Sequence, residues 1–153
     1  MNKSTYEEYL AKYGSLTYRN VGVSMLPMLK QDRDLFTVLK KTDERCKMHD
    51  VVLYRRPSGQ YVLHRIVKVR EKDYILLGDN CEKKEYGITD DDILGILSSF
   101  IHRGKEVLVT DRRYILYAQI WYLLYPVRRL WLRSKHFREV SLSIFTRKDN
   151  NRK

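Results

Sequence analysis

The chain has 153 residues, 43% hydrophobic and 32% charged, with only 7 Gly and 3 Pro. That is enough to bury one core, and the composition excludes a disordered, collagenous or low-complexity protein. The formal net charge of +11 is uneven: residues 1–100 carry 17 Lys and Arg against 15 Asp and Glu, and residues 101–153 carry 13 against 4. An anionic partner is therefore to be sought on the C-terminal third.

In chain order, Ser4 with Glu7 three residues on has the form of a capping box, and Gly14 is a natural stop, so a short amphipathic helix is predicted over 4–13. Strand-like runs rich in β-branched and aromatic residues follow at 35–39, 51–54, 61–69 and 74–77, with turns at 57–60 and 71–73. In the long run, Val62, His64, Ile66 and Lys68 point one way, and Tyr61, Leu63, Arg65, Val67 and Val69 the other. Segments 93–101 and 107–109 supply two more strands around a turn at 102–105. From 114 to 132 the apolar content is helical, interrupted at Pro126 and studded with arginines. The fold predicted is mainly β, a small, bent, antiparallel, barrel-like domain over 15–110. A short N-terminal helix (1–14) precedes it and a basic, aromatic-rich helical extension (111–153) follows.

Cys46 and Cys81 are too few for a disulfide framework, and no C-x-x-C or Cys/His cluster suggests zinc; free thiols are expected, with no metal and no cofactor. The polar, acidic N-terminus does not read as a secretory signal or an anchor. No run reaches the ~18 apolar residues of a spanning helix. A cytoplasmic location is expected, peripheral at a membrane surface if the basic segment 111–135 meets anionic lipid.

The segment Val21-Gly22-Val23-Ser24-Met25-Leu26-Pro27 carries the chemistry. A serine hydroxyl is a poor nucleophile until a base takes its proton, and Ser24 alone would read as a loop residue. Its small, Met and Pro neighbours describe a tight turn that holds the hydroxyl outward. Forty residues on, His64 lies in a strand-like run, and an imidazole, titrating ordinarily near ~6.5, suits general-base work. Gly78-Asp79-Asn80 follows, on its own only a turn signature.

Together and in this order, Ser24-Met25-Leu26-Pro27, Asp32-Arg33-Asp34-Leu35, His49-Asp50-Val51-Val52, His64-Arg65 and Gly78-Asp79-Asn80 resemble the signal-peptidase and LexA-type serine peptidase clan, in its histidine-bearing form. The resemblance covers about half the chain, residues 21–96, with Asp32 where glycine is usual. It implies Ser24 as nucleophile, His64 as base and a peptide or protein substrate. It also implies a carboxylate to orient the histidine. Glu85 occupies the family's position for that group, and Asp79 is the alternative; Glu85 is preferred for orienting His64 and Asp79 for supporting the backbone. Relatives add a serine hydroxyl to the oxyanion hole two residues before the nucleophile, where this chain has Gly22. A LexA-like, self-cleaving or nucleic-acid-binding regulator is a weaker reading, since about 20 residues precede the serine box; nucleic acid is not the expected partner. A non-catalytic, peptide-binding relative is the third.

Overall fold

The computed structural model describes residues 5–134. Helix α1 (Tyr6–Tyr13) begins two residues later than predicted, with its cap one residue later, at Thr5. Its capping box joins Thr5 to Glu8, through Glu8 N–H to Thr5 Oγ1 (3.2 Å) and Thr5 N–H to Glu8 Oε2 (2.9 Å). Ser4 lies outside the described residues, and its expected partner Glu7 is engaged elsewhere, accepting from Tyr61 Oη at 2.5 Å and facing Arg55 at 3.6 Å. Gly14 closes the helix at φ +74°, a conformation that costs glycine nothing.

Eight strands follow: β1 (Ser15–Arg19), β2 (Leu35–Lys40), β3 (Val51–Arg55), β4 (Tyr61–Val69), β5 (Tyr74–Leu77), β6 (Glu85–Ile88), β7 (Ile93–His102) and β8 (Lys105–Leu108). They form one antiparallel sheet in the order β1-β2-β7-β3-β4-β5-β6, and β8 also pairs with β7. The protein is therefore mainly β, as its sequence predicts. The barrel-like closure is not made, since β1 and β6 stand at opposite ends of the strand order. Bulges at Thr37/Val38, Leu53/Tyr54, Ile66/Lys68 and Tyr74/Leu76 supply the bend. The β7–β8 turn is shorter than predicted: Arg103 (φ +52°) and Gly104 (φ +77°) make a two-residue hairpin loop.

Both faces of the sheet are covered, which explains why its central strands read as nearly continuous apolar runs. On β3 the pleat sends Val51 and Leu53 into one core with Leu10, Met25, Met28, Leu29, Phe36, Leu63, Phe100 and Tyr114. It sends Val52 and Tyr54 into a second, with Val62, Ile66, Tyr74, Leu76 and Ile88. Helix α2 (Arg112–Leu123) packs Tyr114 and Ala118 inward. Leu124 interrupts the helix only locally: its backbone stays αR, its N–H bonds the Ile120 carbonyl (2.9 Å), its carbonyl accepts from Arg128 N–H (3.0 Å), and the chain is helical again over 125–134. Pro126 sits at the restart, where its missing N–H is tolerated. Cys46 and Cys81 are both free thiols.

Candidate active site

The Ser24 turn is bolted down on three sides. Met25, Met28 and Leu29 are pegs in the first core, and Leu29 N–H closes onto the Met25 carbonyl at 2.9 Å. Each such buried side chain is worth roughly 1.5–3 kcal/mol. Asn20, itself buried, donates its side-chain amide to the Gly22 carbonyl at 3.1 Å. On the far side Asn80 donates its backbone N–H to the Ser24 carbonyl (2.7 Å) and its side chain to the Val23 carbonyl (3.1 Å). The loop carrying Gly78, Asp79 and Asn80 thus docks directly on the serine turn, and Ser24 is left half-buried.

Strand β4 delivers two adjacent residues to opposite faces. His64 faces the second core beside Tyr54, and Arg65 faces the first beside Met28 and Tyr114. His64 is 2% exposed, so its ring can turn little, and each nitrogen has a defined environment. Nδ1 lies 3.2 Å from Glu85 Oε1 and 3.3 Å from Tyr54 Oη. Nε2 faces the Ser24 turn across Gly78. A β-carbon placed on Gly78 would lie 2.8 Å from Nε2, 2.8 Å from the Ser24 carbonyl oxygen and 2.6 Å from Cys81 Sγ. Only a residue without a side chain lets these three groups converge.

Glu85 opens β6 and is gripped by Arg56 as well, with Arg56 Nε donating to Oε2 at 3.0 Å and Nη2 to Oε1. Burial alone would raise the Glu85 carboxyl, but hydrogen bonds from His64, Arg56 and Tyr54 outweigh it and hold the group well below the usual carboxylate range. Burial and the same carboxylate push the Tyr54 hydroxyl far up, so Tyr54 stays a neutral donor. An ionised carboxylate at Nδ1 favours the tautomer protonated there, which leaves the Nε2 lone pair aimed at the Ser24 side.

Asp79 is placed differently. Its carboxylate accepts Arg65 Nε at 2.9 Å, Arg65 Nη2 at 2.7 Å and Tyr117 Oη at 3.0 Å, and among the described residues it makes no hydrogen bond to His64. Of the four residues singled out from sequence, Ser24, His64 and Glu85 border one groove of about 900 Å³, and Asp79 lies in the scaffold behind it. Ser24 Oγ makes no hydrogen bond among the described residues; the Ser24 backbone carbonyl and His64 Nε2 both flank Gly78.

Tyr54, Arg56 and Cys81 complete the site without having been singled out, and Gly78 was named only as part of the Gly78-Asp79-Asn80 box. Cys81 had a signal, its place directly after Gly78-Asp79-Asn80; Tyr54 and Arg56 had none, because they reach Glu85 only across paired strands. Cys81 Sγ stands 4.0 Å from His64 Nε2, and burial, then the Glu85 charge, push its thiol up. Among the described residues no three His, Cys, Asp or Glu side chains converge where a metal ion could sit. No family model matches the chain, and neither a curated protein nor a solved structure was found to be similar to it.

Proposed function

We propose that the chain is a serine peptidase of the signal-peptidase type, acting through Ser24, His64 and Glu85. The observation that carries this reading is the polarity of His64: a carboxylate on Nδ1, and the Ser24 turn across Gly78 from Nε2, on the wall of an open groove. In the reaction Ser24 Oγ attacks a peptide carbonyl and its proton passes to His64 Nε2. Glu85 stabilises the imidazolium that forms. The Ser24 backbone N–H receives the developing oxyanion. The amine leaves with the proton from His64, and a water activated by the same nitrogen releases the acyl group. In this reading the nucleophile–base hydrogen bond between Ser24 Oγ and His64 Nε2 tightens in the substrate complex.

A second reading rests on one distance, the 4.0 Å from Cys81 Sγ to His64 Nε2, which would make Cys81 the nucleophile. The upward push on its thiol opposes this, since the thiolate is the reactive form. One experiment separates these readings from each other and from a peptide-binding relative. Cleavage of a quenched-fluorescence peptide library and labelling by a fluorophosphonate are compared in wild type, Ser24→Ala, Cys81→Ala and His64→Ala. Loss in Ser24→Ala and His64→Ala with retention in Cys81→Ala is expected. Cleavage that survives Ser24→Ala rejects the serine mechanism, and peptide binding without cleavage in all four assigns a binding module. Glu85→Gln keeps the shape but removes the charge, and turnover is expected to fall by roughly 10²–10⁴-fold.

A further inference from the structure

The helical segment 112–134 has two faces with different fates. The inner one is pinned: Tyr117 Oη donates to the Asp79 carboxylate, Trp121 Nε1 to the Asp79 carbonyl at 2.9 Å, and Tyr125 Oη to the Glu82 carbonyl at 2.8 Å. Arg128 donates inward to the carbonyls of Asp79 and Trp121, its guanidinium lying over the Trp121 ring. With that face fixed, the opposite one is committed outward. It carries Leu116, Ile120, Leu123, Val127 and Leu130, spaced alternately four and three residues apart and between 45% and 77% exposed. Such spacing makes one continuous row, about 21 Å long at 1.5 Å per residue. Ile115 and Leu124 broaden it.

A contiguous exposed apolar row marks a contact surface, and the charges beside it select the partner. Residues 112–134 contain five arginines and no Asp or Glu. Arg112, Arg113, Arg129 and Arg133 are exposed, and among the described residues only Arg133 pairs with a carboxylate, Glu82 at 2.9 Å. Packing two copies row to row would bring these cations together with no acidic residue on the segment to offset them. A surface that is apolar beneath and anionic above satisfies both features. No helix among the described residues is long and apolar enough to cross a membrane.

We propose that residues 112–134 lie in the plane of an anionic lipid surface, with the row from Leu116 to Leu130 among the acyl chains and Arg112, Arg113 and Arg129 at the phosphate level. The pinned face holds the Gly78–Cys81 loop, so docking carries the groove to that surface. The inference stands on the helix alone and does not require Ser24 to react.

The test uses the full chain with vesicles of phosphatidylcholine alone or with one-third phosphatidylglycerol. Wild type is compared with Leu116→Gln/Leu123→Gln/Leu130→Gln and with Arg112→Gln/Arg113→Gln/Arg129→Gln. Expected are sedimentation with the anionic vesicles only, weakening of more than about tenfold in either triple variant, and a monomer of unchanged melting temperature in both. Failure of wild type to bind, equal binding to neutral vesicles, or full binding by either triple variant overturns the proposal. So does a wild-type dimer that the leucine substitutions dissociate, which assigns the row to a second copy. A fall in melting temperature of the leucine variant also overturns it, because the row would then be packed within the chain.

Discussion

Gly78 shows how much of the site rests on an atom that is not there. Serine carbonyl, histidine nitrogen and cysteine sulfur all crowd the position a β-carbon would take, and the carbonyl belongs to a turn that is hydrogen-bonded on both sides. The Gly78→Ala variant therefore cannot be accommodated by one flexible side chain giving way. A loss of about 1–3 kcal/mol in urea denaturation is expected, together with a turnover loss larger than that stability change explains. Gly22 is the opposite case. A side chain there would meet nothing within 4 Å, but the backbone sits at φ +91°. A serine at this point would cost about 1–3 kcal/mol of backbone strain, so Gly22→Ser is expected to lower stability.

At the scale of elements, the link that matters joins β4 to α2. Arg65 and Asp79 are 2% and 3% exposed, and their paired hydrogen bonds are extended by Tyr114 and Tyr117 from the helix. A buried charge left alone is far more costly than a buried pair is valuable. Arg65→Met and Asp79→Leu are each expected to lose about 3–5 kcal/mol in urea denaturation, and the double variant less than either loss added to the other. If the two losses simply add, the pair is not acting as a unit. The same pair explains why Asp79, in the loop that docks on the Ser24 turn, does not bond to His64. Its carboxylate is spent on holding that loop to the helix and the strand.

Across the whole molecule, acid is the expected weakness. Hydrogen bonds from Arg33, against the opposing effect of burial and with further ones from the Lys30 N–H and His102, hold the Asp34 carboxyl well below the usual range; Glu85 is held down likewise. For a carboxyl depressed in the folded state, the stabilisation is complete above its unfolded value and disappears as pH falls through the folded one. Melting temperature is therefore expected to be flat near neutrality and to fall steeply below about pH 4, the ordinary carboxylate range. Asp34→Asn should melt lower at neutral pH and show a shallower acid limb. An acid limb unchanged in Asp34→Asn would place the sensitivity elsewhere.

The sequence by itself determined the mainly β class, most strand positions and the short list of chemical residues, because pleat alternation, turn residues and motif order are local properties. Its reading of Ser4 with Glu7 as the helix cap was off by one residue, since Thr5 with Glu8 has the same spacing. Tertiary structure decided between them, by drawing Glu7 away to Tyr61 and Arg55. Strand β6 was missed because four residues with a glycine inside carry little period, and its pairing with β5 is what makes it a strand. Ser24 and His64 were legible as types, and the resemblance already preferred Glu85 over Asp79 for orienting His64; the tertiary structure supplies the physical reason. Both carboxylates lie near one histidine in the chain, and only the position of Arg65 on the other face of β4 decides which one is free to turn toward it.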